Sequence, residues 1–171
     1  MKDQTIDSGK VQLKSVPTTR KSDLTKSFFK TDVVFVDQDM PIIEVAKLMR
    51  NRQVGDVIVT KYTGGKTKPV GMITDRDLVV KVLAEKKSAD TMRAADLMTQ
   101  PITVANESDG IYDLIKTMKK EGIGRLPIVD ANGALLGIVT AKKLLQLLAQ
   151  EFNDLINFNR KSSRKDLTVQ H

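Results

Sequence analysis

The side chains with most chemistry to offer are Thr74-Asp75-Arg76-Asp77, followed by Leu78-Val79-Val80, and Arg125, set between Gly124 and Leu126-Pro127. A hydroxyl and a carboxylate three residues apart, ahead of an apolar run, have the spacing of a helix-capping box, which needs no ligand. Arg125 taken alone reads as a solvated cation, although a guanidinium fork suits a phosphate or carboxylate. Nucleophilic and metal chemistry have few carriers. The chain has no Cys, which excludes disulfides, thiolate zinc sites and cysteine nucleophiles. Its one His is His171, so histidine acid–base or metal chemistry has no carrier in the fold. There is no Walker loop, and Gly122-Ile123-Gly124 lacks the third glycine of a dinucleotide fingerprint. The residues predict no catalysis, no metal and no cofactor.

The elements that hold these side chains occur twice. Ile42, Val45, Met49, Val54, Gly55, Val57 and Val59 match Ile111, Leu114, Met118, Ile123, Gly124, Leu126 and Ile128, each 69 positions on. Gly71, Ile73, Thr74 and Leu78 match Gly137, Val139, Thr140 and Leu144, now 66 positions on. The offset falls by three because the loop around Tyr62–Lys68 is longer than the Ala131–Gly133 turn. Each copy predicts strand, helix, strand, strand, helix. The strands are expected at Val33–Val36, Val57–Thr60 and Val70–Ile73, and at Ile102–Val104, Leu126–Val129 and Leu135–Val139. Helices follow the apolar spacings Ile42, Val45, Leu48, Met49 and Ile111, Leu114, Ile115, Met118. Pro41 suits the first turn of one, and Ser108 or Asp109 the cap of the other. Each copy closes with an amphipathic helix, Asp75–Leu83 and Ala141–Leu148, the latter with a continuation through Phe158. Ala131-Asn132-Gly133 predicts a tight hairpin, and Tyr62–Lys66 a looser one. Asp90–Met98 reads as a linking helix. The Met49/Met118 pair reads as core.

A unit of about 50 residues buries its sheet poorly by itself. The expectation is therefore an α+β fold of two β-α-β-β-α repeats related by a pseudo-two-fold axis, with clefts between them. The divisions read as a basic, mobile N-terminal extension over 1–29, repeat 1 over 30–88 and repeat 2 over 89–150. A C-terminal helix extension and polar tail covers 151–171.

The net charge of +7 could signal nucleic acid, so its position matters. Residues 1–30 hold seven basic and three acidic side chains, and residues 151–171 hold four and three. The central segment keeps 17 of the 28 basic and 15 of the 21 acidic residues, so it carries no basic face. The basic ends serve solubility, and nucleic acid is not an expected partner. No apolar run reaches the length of a membrane span and the polar start MKDQTIDSGK is no signal peptide, so the expected location is cytoplasmic.

MRAADLMTQPITV, GIGRLPIVDANGALLGIVT and PVGMITDRDL together resemble the cystathionine-β-synthase (CBS) domain, and the tandem resembles a CBS pair, or Bateman module. The resemblance covers roughly Lys30 to Leu148. It implies a non-catalytic sensor that binds AMP, ADP, ATP or S-adenosylmethionine between repeats, forms a homodimer and signals to a regulated protein of unknown identity. It also implies one cleft built from Thr74, Arg76 and Asp77 together with Thr103, Ile123, Gly124, Arg125 and Pro127. Asp77 would accept both hydroxyls of a ribose, and Arg125, assisted by Arg76, would hold phosphate. With no Trp in the chain, adenine would lie between aliphatic side chains and backbone. A second cleft would combine Phe35, Val54, Gly55 and Asp56 with Thr140 and Lys143. There the chain departs from the family pattern. Lys143 has no acceptor for ribose and Asp56 repels phosphate, so this site is expected to be vacant or altered. The competing reading is a structural dimerisation module with vestigial clefts, in which Gly55 and Gly124 mark close packing.

Overall fold

Val57, Val59 and Ile73 alternate with side chains of the opposite face, so a strand pair built from them presents one continuous apolar face. A computed structural model describes residue 29 and residues 31–166 and places this pair at the centre of the first repeat. Strand β1 (Phe35–Asp37) runs parallel to β2 (Asp56–Thr63), and β2 pairs antiparallel with β3 (Lys66–Thr74) in the order β1-β2-β3. Helix α1 (Ile42–Arg52) buries Ile42, Val45 and Met49 against this sheet. Pro41 is its N-cap residue, one position before the first helical turn. Gln53 ends the helix in the left-handed region at φ 53°. Among the described residues Thr60 is the one polar residue that is buried, and its hydroxyl donates to the Val36 carbonyl at 3.0 Å.

The hairpin between β2 and β3 is tighter than expected. Pairing continues through Lys61–Lys68, Tyr62–Thr67 and Thr63–Lys66, and only Gly64-Gly65 forms the turn. Both glycines have positive φ, 58° and 74°, the requirement of a two-residue turn that matches strand twist. After β3 the chain enters α2, an α turn over Asp75–Asp77 that widens into a π-helical stretch over Leu78–Leu83.

The linking segment does not form the helix expected over Asp90–Met98. A 3-10 turn covers Ala89–Thr91, Met92 and Arg93 are extended, and α3 spans only Ala94–Leu97. The backbone at 92–95 instead serves the first repeat. Met92 O accepts from Ile42 N, Ala94 N donates to Met40 O and Ala95 N to Gln38 O, at 2.8–3.0 Å. Ala94 and Leu97 are buried in the first repeat's core, and Met98 packs beside Gly71.

The second repeat has the same order. Strand β4 (Ala105–Asn106) runs parallel to β5 (Arg125–Val129), which pairs antiparallel with β6 (Leu135–Thr140). The ladder starts at Ala105 rather than within Ile102–Val104, because Ala105 is the first residue opposite β5, at Ile128. Helix α4 (Ile111–Glu121) buries Leu114 and Met118. Its N-cap is Gly110, without a side-chain cap, because the Asp109 carboxylate is turned back onto Asn106 N at 2.9 Å. Asp130 Oδ1 accepts from Asn132 N and Ala134 N at 2.8 Å and holds the expected hairpin, with Gly133 at φ 79°. Helix α5 (Ala141–Asp166) runs beyond Phe158 and buries Leu144. Phe29 packs against this second core, so at least this one side chain of the segment read as an extension belongs to the fold. The remaining residues of 1–28, and their expected mobility, lie outside the described residues. Among the described residues no helix is long and apolar enough to cross a membrane.

Candidate functional site

Each repeat brings the start of its middle strand against the start of its last helix. In the first, Asp56 stands opposite Thr74 in the β2–β3 register, and Asp75 N donates to Gly55 O at 2.9 Å. In the second, Arg125 stands opposite Thr140, and Ala141 N donates to Gly124 O at 2.9 Å. Gly55-Asp56 therefore lies beside Thr74–Asp77, and Gly124-Arg125 beside Thr140–Lys143. The residues of the clefts inferred from the resemblance come from different repeats, and the structure places each within its own repeat.

Thr74 caps α2 with a complete box. Its Oγ1 accepts from Asp77 N at 3.2 Å and donates to Asp77 Oδ2 at 2.6 Å, while Thr74 N donates to the same oxygen at 2.8 Å. The second carboxylate oxygen, Oδ1, pairs with Lys81 Nζ at 2.7 Å, and Asp77 is only 15% exposed. Burial pushes the Asp77 carboxyl up, but the bonds from Lys81 and Thr74 outweigh it and hold the group below its ordinary value. The carboxylate is thus ionised and fixed. Lys81 was absent from the sequence reading, although an acid followed four positions later by Lys is a recognisable helical pair.

Arg76 and Asp75 are exposed in the same turn, with Arg76 N donating to Asp75 Oδ1. In the second repeat Thr140 Oγ1 accepts from Lys143 N at 3.2 Å, so the hydroxyl caps α5 without an acidic partner. Lys143 is half-buried and Arg125 exposed. This turn gathers Arg125, Lys142 and Lys143, whereas the first gathers Asp56, Asp75 and Asp77 with Arg76 and Lys81.

The two glycines of the strand starts differ. A Cβ on Gly55 would lie 3.1 Å from Asp75 Oδ2, the end of an exposed side chain that would have to give by a few tenths of an ångström. A Cβ on Gly124 would meet nothing within 4 Å. Ile123 and Val54 are half-buried, each donating its N–H to the C-terminal turn of the preceding helix, at Met118 and Met49. Phe35 and Thr103 are half-buried, whereas Pro127 is fully enclosed in β5. Among the described residues no group of three or more His, Cys, Asp or Glu could hold a metal ion.

A β-α-β-β-α unit present twice, each with a hydroxyl-capped turn beside a glycine-led strand, defines a tandem-repeat module. The CBS domain family matches residues 25–84 and 94–150, and the chain belongs to that family. It is 39% identical over 118 residues to an uncharacterized protein of Methanopyrus kandleri, covering 69% of this chain and 59% of that one. A crystal structure of the CBS domain pair of protein MJ0100, in complex with 5'-methylthioadenosine and S-adenosyl-L-methionine, superposes with a TM-score of 0.62. That match has 24% identity and covers 74% of this chain and 96% of that one. The hexameric CBS-CP12 protein from bloom-forming cyanobacteria gives 0.61 at 26% identity, covering 71% and 65%.

Proposed function

We propose that this chain is a non-catalytic regulatory module that binds an adenosine-containing ligand and passes its occupancy to a partner protein or through a homodimer. The observation that carries the reading is the Asp77 carboxylate, kept ionised in a capped turn of the first repeat. Its counterpart in the second repeat is Lys143, which has no acceptor. A carboxylate can accept the hydroxyls of a ribose diol, and the open space at Gly124 beside Arg125 suits the approach of a phosphorylated group to the backbone. The ligand class is AMP, ADP, ATP or S-adenosylmethionine, and the related MJ0100 pair is known in complex with two adenosyl compounds. Thr74, Arg76, Asp77, Thr103, Ile123, Gly124, Arg125 and Pro127 form the working site of this proposal. The site containing Phe35, Val54, Gly55, Asp56, Thr140 and Lys143 is vacant or altered.

Dimerisation is supported by α5. Leu145, Leu148, Phe152 and Leu155 recur at spacings of three and four, and each is at least 43% exposed. That is the seam of a helix that packs on another helix. The proposed location is cytoplasmic.

Thermal melting of the full chain against adenosine, AMP, ADP, ATP and S-adenosylmethionine tests the reading. A ligand at about 100 times its dissociation constant adds about 2.7 kcal/mol. For a chain of this size that is a rise on the order of 5 °C. No rise with any of the five leaves the module a structural dimerisation unit.

A further inference from the structure

Asp77 and Lys81 form a pair found in only one of the two repeats. The positions 66 residues on are Lys143 and Leu147, so the second repeat has neither member. In the first repeat Lys81 Nζ lies 2.7 Å from Asp77 Oδ1 and 3.4 Å from the Leu97 carbonyl, so it bridges the candidate ribose carboxylate and the end of α3. Asp77 Oδ2 is taken up by Thr74 from two directions, and Oδ1 is the oxygen left for a ligand to share with Lys81. The ammonium therefore sits at the oxygen a sugar would approach. The turn also contains Asp75 and, across the register, Asp56. Without Lys81, Asp77 would present its full negative charge to a ligand in the same turn as Asp75.

We propose that Lys81 is the specificity-determining residue of the first-repeat site, balancing Asp77 so that the site takes anionic, phosphorylated nucleosides in preference to neutral ones. The inference rests on the adenosine-ligand reading above and sharpens it, since it favours nucleotides over uncharged or cationic adenosyl compounds. A bare carboxylate beside the ribose would repel a phosphate one sugar's width away, and two unit charges at such separations interact appreciably even at high effective dielectric. Lys81 acts through Asp77 as a positioning and charge-balancing residue. Any competition between Lys81 and the sugar for Oδ1 affects AMP and adenosine equally, so the ratio of their affinities isolates the charge effect.

The test is calorimetric titration of the full chain with AMP and with adenosine, for the wild type and for Lys81→Met, Lys81→Arg and Asp77→Ala, at low and high salt. The wild type is expected to prefer AMP. Lys81→Met should reduce that preference by about tenfold at low salt, with a smaller change at high salt. Lys81→Arg, which keeps the charge, should restore it. An AMP-to-adenosine ratio unchanged in Lys81→Met, with AMP binding still lost in Asp77→Ala, overturns the role of Lys81 and leaves the adenosine site standing. AMP binding indifferent to Asp77→Ala, or absent from the wild type, overturns the site and the role of Lys81 with it.

Discussion

Arg125 lies directly opposite Thr140 across the first rung of the second repeat's antiparallel ladder. The guanidinium and the helix-capping hydroxyl thus share one end of one sheet. In the first repeat the same rung pairs Asp56 with Thr74. One backbone geometry therefore presents opposite charge in the two copies. Substituting either side chain should change the local field without disturbing the strands.

Asp77→Ala and Arg125→Ala each remove a charge-assisted hydrogen bond to the proposed ligand, worth about 1.5–3 kcal/mol. The expected loss is roughly 10- to 150-fold in affinity for AMP. Lys143→Ala should leave that affinity nearly unchanged. Titration calorimetry on the three variants reads this directly, and equal losses in all three would contradict a single working site.

The depressed Asp77 carboxyl makes stability depend on pH in a known direction. Its folded-state value lies below the ordinary one, so its contribution is complete at neutral pH. That contribution fades as pH falls below about 5, through the unfolded-state value near 4 and on through the lower folded-state value. Asp77→Asn lacks it. The melting-temperature gap between wild type and Asp77→Asn should be widest near pH 7 and close towards pH 3. A gap that is constant over that range would show that the carboxylate is not held by Lys81 and Thr74.

Gly71 and Gly124 should respond unequally to Ala. A Cβ on Gly71 would lie 2.7 Å from Met98 Cγ and 2.9 Å from Met98 Cβ, so something must move. The expected cost of Gly71→Ala is about 1–3 kcal/mol, read from chemical denaturation. Adding Met98→Ala should recover part of it. Gly124→Ala has open space and should fall within about 0.5 kcal/mol of the wild type.

The apolar stripe of α5 should set the oligomeric state. Leu148→Lys together with Phe152→Lys places two charges on the seam, and light scattering should then report a smaller species than the wild type. Melting of the repeats should change little, because α5 contributes Leu144, not these side chains, to the second core. An unchanged mass would place the dimer contact elsewhere.

Much of the architecture was legible because apolar periodicity and duplication constrain each other. Ile42, Val45 and Met49 are buried in one repeat, as are Leu114 and Met118 at equivalent positions in the other. The elements that sequence reasoning misplaced are those whose backbone bonds lie outside themselves. Residues 92–95 have helical composition, yet their amides and carbonyls pair with residues 38–42, which no local pattern announces. Asp109 looks like a cap until its carboxylate is found on Asn106. Gly64-Gly65 was the converse case. The turn signal was present, but Tyr62, Thr63, Lys66 and Thr67 looked like loop because they face solvent or are only half-buried. Of the site, the Thr-x-x-Asp turn was readable, and the Asp77–Lys81 spacing was too, but the further reach of Lys81 to the Leu97 carbonyl lies sixteen residues away and no local pattern announces it.

The attachment of Ala94 and Leu97 bears on how the protein can be taken apart. An excised first half ending at residue 88 would lose two plugs from its interior and three main-chain tethers to the 38–42 loop, and should come out of the cell as aggregate. A cut after Ile102 keeps them. The stretch joining the copies is thus a lid belonging to one of them, and any rearrangement of that stretch would be felt first in the packing of the amino-terminal half.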